Sequence, residues 1–164
     1  MTGIFFGSTT GNTEGLADMI AKEMGVDGAD VHNVAGTPAE TAEKYDLLLL
    51  GSSTWGYGEL QDDWEGFLSQ LKVRNLNGKK VAFFGTGDHE SYPDTFCDSL
   101  GIIKEALEGS GCTFVGAYDA AGYEVSDSRA FEDGMAIGLA ADEDNEPDKT
   151  PARMKAWVES INKG

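Results

Sequence analysis

The stretch Gly3-Ile4-Phe5-Phe6-Gly7-Ser8-Thr9-Thr10-Gly11-Asn12-Thr13-Glu14 decides the fold. Its apolar opening suits a strand covered on both faces of a parallel sheet. Hydroxyls and glycines then break the run. Leu16, Ala17, Ile20, Ala21 and Met24 follow at i, i+1, i+4, i+5 and i+8, which is one face of a helix. The reading is strand, tight loop, helix N-terminus. Such a turn aims unpaired backbone N–H groups and the positive end of the helix dipole at one point, an arrangement that suits an anion. Ser8, Thr9, Thr10 and Thr13 add hydroxyl donors and Asn12 an amide, while Gly7 and Gly11 let the backbone turn closely.

The spacing excludes the two commonest nucleotide loops. A P-loop needs four residues between its glycines and a Lys before the Ser/Thr, whereas three separate Gly7 from Gly11 and Asn12 stands in place of the Lys. The dinucleotide fingerprint is absent as well. A loop without a cation is ill suited to a triphosphate, whose charge must be neutralised during transfer. It suits one phosphate monoester that is held and never reacts. The competing reading is that Ser8 to Thr13 only cap the helix.

Outward from this stretch, 30–34 reads as a short second strand and Pro38 to Lys44 as a short helix. A buried strand spans Tyr45 to Gly51 and ends in the loop Ser52–Leu60. Trp64, Phe67, Leu68 and Leu71 mark the next helix. The fourth strand, 80–85, runs into Thr86–Pro93. Phe96, Leu100, Ile103 and Leu107 give another helix face, 113–116 starts a fifth strand, and Met154, Trp157, Val158 and Ile161 give a terminal helix. Strands alternating with helices predict a parallel sheet covered on both faces, with ligands beyond the carboxyl ends of its strands. Three loops of unusual composition leave those ends, Ser8–Thr13, Ser52–Leu60 and Thr86–Pro93, and they are expected to converge. The polar region Asp119 to Ala136 is too long for a turn and reads as an excursion from the fifth strand.

A length of 164 residues is that of one domain. The formal charge of −17 argues against nucleic acid or an anionic membrane as partner and for basic protein surfaces. A strand at the very start and the lack of a long apolar run predict neither a signal peptide nor a membrane span. Cys97 and Cys112 lack metal spacing and fit a reduced, cytoplasmic protein.

Two of the loops carry an aromatic residue beside glycine: Trp55 before Gly56, and Tyr92 after Gly87-Asp88. Most aromatics in a chain of this size are core, but two rings flanking one site could sandwich a flat heteroaromatic group. Together with the phosphate cradle they describe a mononucleotide carrying a planar ring. At this point Ser8-Thr9-Thr10-Gly11-Asn12-Thr13 resembles the phosphate loop of flavodoxins. Thr54-Trp55-x-x-Gly58-Glu59-Leu60 and Gly85-Thr86-Gly87-Asp88-x-x-x-Tyr92 resemble their two isoalloxazine loops. The likeness continues through Phe96-Cys97-Asp98, Gly122-Tyr123, Gly138-Leu139-Ala140 and Asp142-Glu143-Asp144-Asn145, and the Asp119–Ala136 excursion resembles the insertion of the long-chain members.

The resemblance implies a flavodoxin-like three-layer sandwich with a five-stranded parallel sheet of order 2-1-3-4-5 and an insertion in the last strand. It implies a low-potential electron carrier, not an enzyme, that holds FMN noncovalently and works between its semiquinone and hydroquinone. Carried over by position, Ser8 to Thr13 meet the phosphate. Trp55 and Tyr92 flank the ring, and the backbone of Trp55, Gly56, Tyr57 and Gly58 and of Thr86, Gly87 and Asp88 meets its polar edge. Asp144 and the Thr54 carbonyl meet the ribityl chain, and Ser53, Phe96 and Cys97 complete the site. Ser53 stands where many members have Pro, which loosens that loop, and Gly56 frees the turn after Trp55. Implied partners are basic faces of redox proteins, such as ferredoxin/flavodoxin–NADP reductase or 2-oxoacid oxidoreductases, met by a monomer.

The charge pattern agrees independently. Lys and Arg are missing between Lys44 and Lys72 and between Lys80 and Lys104, segments that hold Glu59, Asp62, Asp63, Glu65, Asp88, Glu90, Asp94 and Asp98. Negative potential there disfavours an anionic reduced flavin and steers basic partners. His89 reads as a solvent-exposed loop residue. Two rivals use the same architecture. An FMN-dependent NAD(P)H or quinone reductase needs an open ring face, which two flanking aromatics deny. A signalling receiver needs acids where Ser8-Thr9 and Ser52-Ser53 stand.

Replacing Thr10 or Thr13 by Val is expected to weaken FMN far more than riboflavin, since each hydrogen bond to charge contributes about 1.5–3 kcal/mol. Titrating the apoprotein with both flavins checks it; equal losses would place the phosphate elsewhere.

Overall fold

The computed structural model describes residues 1–7, 11–55, 59–123 and 128–163, with the backbone alone at residues 55, 59 and 93. Strand β1 (Thr2–Gly7) shows at once why the molecule has three layers. Its side chains alternate, Phe5 joining one core cluster and Ile4 and Phe6 the other. Helix α1 (Asn12–Met24) follows and buries Leu16, Ala17 and Ile20. Then come β2 (Val31–Asn33), β3 (Leu47–Trp55), β4 (Glu59–Leu60) and α2 (Asp62–Leu71). The chain continues through β5 (Lys80–Thr86), α3 (Asp98–Leu107), β6 (Thr113–Phe114), β7 (Tyr118–Asp119), β8 (Phe131–Glu132), β9 (Met135–Ala136), β10 (Leu139–Ala141) and α4 (Thr150–Lys163).

The main sheet runs β2-β1-β3-β5, all parallel, and its fifth position is shared. β6 pairs the start of β5, Lys80 opposite Thr113, and β10 pairs its end, Ala141 opposite Thr86. This is the expected order 2-1-3-4-5 with the last strand interrupted. The excursion folds as a small antiparallel sheet of order β7-β9-β8. On one face of the main sheet, Phe5, Leu48, Leu50, Val81 and Phe83 meet Trp64, Phe67 and Leu71 of α2 and Leu100, Ile103 and Leu107 of α3. On the other, Ile4, Phe6, Leu49, Ala82 and Phe84 meet Leu16 and Ile20 of α1 and Met154, Trp157 and Ile161 of α4. Each fully buried side chain of this size contributes about 1.5–3 kcal/mol relative to exposure.

The elements differ from the sequence reading mainly in their bounds. The short helix read over Pro38 to Lys44 is a 3-10 helix, Ala39–Lys44. β3 continues past Gly51 to Trp55, because β4 turns back antiparallel and pairs Thr54 with Leu60 and Trp55 with Glu59. Phe96 precedes α3, whose N-cap is Cys97 in a left-handed conformation at φ 55°.

Gly51 marks a tight approach in the sheet. A Cβ built there would lie 2.1 Å from the ring of Phe84, while its carbonyl accepts a 2.6 Å hydrogen bond from Trp64 Nε1. Gly51→Ala is therefore expected to destabilise the apoprotein by about 1–3 kcal/mol in urea unfolding. An unchanged midpoint would mean that the Phe84 ring has room to move.

Candidate functional site

β1, β3, β5 and β10 end at one edge of the sheet, and a cleft of about 240 Å³ opens there. It is lined by Asn12 from the start of α1, Ser53 and Thr54 from the end of β3, Thr86, Gly87 and Asp88 after β5, Tyr92, Phe96 and Cys97 before α3, and Asp144 after β10. These are ten of the positions singled out in the sequence, drawn from separate loops into one place. Thr95 also lines the cleft. The sequence did not mark it; its one signal is the place directly before Phe96, at the end of the 3-10 turn Pro93–Thr95. Ser8, Thr9, Thr10, Gly56, Tyr57, Gly58 and the Trp55 side chain lie outside the described residues.

Hydrogen bonds among its own elements hold the cleft open. Thr13 is buried, and its hydroxyl meets that of Thr86 at 2.9 Å, tying the first turn of α1 to the end of β5. The Thr54 hydroxyl donates to Ser99 Oγ at 2.8 Å and accepts from the Ser99 N–H at 3.1 Å, which fixes the β3 end to α3. Asp88 accepts from the N–H groups of Ser91 and Glu90 and from Asn145 Nδ2. Led by the Ser91 N–H, these bonds hold its carboxyl below the usual range.

Three observations fit a ligand with an anionic end, a polar stem and a flat ring. First, the N-cap of α1 is Gly11 at φ 95°, which has no side chain to close the first turn. Second, Ser53 Oγ lies buried at the cleft without a hydrogen-bond partner among the described residues. Such a hydroxyl costs about 1–3 kcal/mol unless something bonds it. Third, Tyr92 stands at the rim, 45% exposed, an aromatic face that the protein itself does not cover.

Two sequence readings are corrected. His89 is buried, 6% exposed, and not a solvent-exposed loop residue. Its N–H and its Nδ1 both reach Asp142 Oδ2, at 3.0 and 2.5 Å. Asp98 belongs to the interior instead of an acidic rim. It accepts from the Arg129 N–H at 2.7 Å, and burial pushes its pKa up against that bond.

Asp142 is fully buried, and its other contacts come from Asn145 Nδ2 on Oδ2 and from the Asp144 and Asn145 N–H groups on Oδ1. Burial alone would raise its pKa; the bonds from Asn145 and His89 outweigh that and hold it below its ordinary value. Glu146 stands 3.6 Å from His89 Nδ1, with Arg153 at 3.3 Å and Lys149 also bonded. His89, Asp142 and Glu146 sit close enough together to suggest a metal. Protein donors already fill these carboxylates, so the cluster is an ion-pair network.

Comparison with known proteins agrees with this geometry. The flavodoxin family model matches residues 4–157. Flavodoxin 1 of Escherichia coli is 49% identical over 163 residues, 99% of this chain and 93% of its own. The flavodoxin of Synechocystis sp. is 46% identical over 160 residues, 97% of this chain and 94% of its own. The crystal structure of Fusobacterium nucleatum flavodoxin bound to flavin mononucleotide superposes with a TM-score of 0.89 at 30% identity, covering 99% of this chain and 96% of that one.

Because the folded pKa of Asp142 lies below its unfolded value, its contribution is present above the unfolded pKa and is lost as pH falls through the folded one. Apoprotein stability is expected to drop as pH falls from about 5 to 3. In Asp142→Asn that slope should shrink while stability at neutral pH falls. Urea titrations across this range check both; an unchanged slope would assign the acid loss to Asp88 and Glu146, whose pKa values are also lowered.

Proposed function

The chain belongs to the flavodoxin family, and from that membership we propose that it holds one FMN noncovalently in the cleft and carries electrons, one at a time, between redox proteins. The observation that supports this best is the meeting of Asn12, Thr54, Thr86–Asp88, Tyr92 and Asp144 around one opening. FMN supplies the one-electron chemistry that these side chains lack, and the protein supplies seat, orientation and field. Ser8 to Thr13 hold the phosphate through hydroxyls and the N–H groups opening α1. Ser53, the Thr54 carbonyl and Asp144 hold the ribityl chain. Trp55 and Tyr92 flank the ring, the backbone of 55–58 and 86–88 meets its polar edge, and Phe96 and Cys97 close the site. Cys97 is fully buried, which pushes its thiol pKa well up and keeps it protonated.

The chain is an electron-transfer protein rather than an enzyme. The purified protein should show a flavin visible spectrum, release FMN rather than FAD on denaturation, and fail to turn over NAD(P)H with quinones unaided. A colourless preparation that takes up no added FMN would overturn the reading.

Asp62, Asp63 and Glu65 are exposed on the first turn of α2, directly after the β3–β4 hairpin that carries Thr54. Part of their role is local, since acids at a helix N-terminus complement its dipole. With Glu90 and Asp94, also exposed, they form an acidic surface that lowers the flavin potential and receives basic faces. Ferredoxin/flavodoxin–NADP reductase and 2-oxoacid oxidoreductases are partners of that chemistry, reached by a monomer in the cytoplasm.

Reduction by such a partner is expected to slow as salt rises, because exposed charges are screened within about 8–10 Å. Neutralising Asp62, Asp63 and Glu65 together should flatten the dependence in stopped-flow measurements. A triple variant with the full salt slope would put the docking face elsewhere.

A further inference from the structure

His89 lies outside the set of residues that line the cleft, yet it touches what holds that set in place. Its backbone N–H and its Nδ1 converge on one oxygen of Asp142, 53 residues away, at 3.0 and 2.5 Å. That carboxylate is held in its charged form, so Nδ1 must carry the proton and donate. The same oxygen accepts from Asn145 Nδ2 at 2.9 Å, and Asn145 Nδ2 also reaches Asp88 Oδ1 at 2.8 Å. The other oxygen accepts from the N–H groups of Asp144 and Asn145. The His89 ring stands edge-on to Phe96, centroids 6.1 Å apart. Asp88, Phe96 and Asp144 all line the cleft. Beyond them, Tyr92 is tied to this loop by its N–H to the Asp88 carbonyl at 3.0 Å.

We propose that His89 is a positioning residue for the flavin: its Nδ1–H, bonded to Asp142, clamps the 86–92 loop to the 142–146 loop and so fixes the two walls of the cleft that take the ring and the ribityl chain. This rests on the FMN reading above. Without the donor, the Asp142 oxygen loses one bond inside a buried site, and the loop carrying Asp88 and Tyr92 keeps the His89 N–H and the Asn145–Asp88 bond but loses the tie made by the His89 ring. The walls released are those assigned above to the ring and the ribityl chain, not to the phosphate. The loss therefore falls on the part that FMN and riboflavin share.

The test uses the full-length apoprotein titrated with FMN and with riboflavin. His89→Leu fills the space beside Phe96 without a donor, whereas His89→Asn returns an N–H near the Nδ1 position. The expected result is a loss of about tenfold or more in affinity for both flavins, by the same factor, in His89→Leu, and affinity within about threefold of wild type in His89→Asn. Hydrogen exchange in the His89→Leu apoprotein should quicken at Ser91 and Tyr92 and stay unchanged at Leu49 and Phe83. Undiminished flavin affinity in His89→Leu, or an Asn variant as weak as the Leu variant, overturns the proposal. If His89→Leu does not fold, His89→Gln decides: its N–H falls near the Nε2 position, so it should bind at least tenfold more weakly than His89→Asn, and equal affinity overturns the clamp. A wild-type apoprotein that binds neither flavin would instead overturn the FMN reading, so the two failures are distinguishable.

Discussion

β10 lies along the last part of β5, with Leu139 opposite Phe84, Ala140 opposite Gly85 and Ala141 opposite Thr86. The ladder is short, but the geometry of the cleft depends on it. β6 covers only the start of β5, so without β10 the carboxyl end of β5 would be an open edge. The same pairing delivers Asp142, Asp144, Asn145 and Glu146 beside the loop that leaves β5, and the Gly87 N–H carries the pattern one step further by donating to the Ala141 carbonyl at 3.0 Å. The chain reaches β10 after a long excursion, which must be anchored for the register to hold. Tyr123 supplies an anchor: its hydroxyl meets that of Tyr118 and donates to the Ala140 carbonyl at 2.6 Å, and the Arg153 guanidinium lies 3.8 Å over its ring. The insertion thus braces the strand that completes the site.

Much of this was legible in the chain. Continuous apolar runs marked β1, β3 and β5, and helical periodicity marked the buried faces of α1, α2 and α4, because a strand covered on both faces is apolar throughout and a helix on the sheet is apolar on one side. The cleft was legible from the unusual composition of three loops. What stayed hidden was tertiary. His89 sits in a polar loop between Asp88 and Glu90, and nothing nearby marks it as buried; its partner lies 53 residues on, and the pairing exists only because β10 docks on β5. Ser53 and Thr54 read as loop because Ser and Gly interrupt the run, whereas the hairpin with β4 keeps them in strand. Asp98 looked like surface charge, but the N–H that receives it belongs to Arg129 in the insertion.

The buried acids change how the large negative charge is to be understood. Asp142 is held by hydrogen bonds from His89, Asn145 and the Asp144 N–H, Glu146 is paired with Arg153 and Lys149, and Asp98 is pushed towards its protonated form by burial. These groups are bonded within the fold and help set the shape of the site. The external field comes from exposed residues such as Asp62, Asp63, Glu65, Glu90 and Asp94. Composition counts both kinds alike; their physical roles are separate.

That separation also removes an apparent conflict in the proposed reading, which asks a chain of charge −17 to hold an anionic phosphate in a loop, Ser8–Thr13, whose sequence contains no lysine. Exposed carboxylates act through water and salt, and their repulsion fades over a Debye length of about 8–10 Å. The N–H groups at the start of a helix act at hydrogen-bond distance, where no ions intervene. Gly11 at the N-cap leaves that turn without a side-chain cap, and the bond between the Thr13 and Thr86 hydroxyls fixes the turn to the sheet. Part of the ordering needed for binding is thus completed when the chain folds, which favours affinity without added charge. A cation at this position would add attraction, but it would also stabilise a reduced, anionic flavin and so raise the potential. In the proposed reading, holding the phosphate by oriented dipoles and leaving the ring in a negative field would let one site bind its cofactor and keep it reducing.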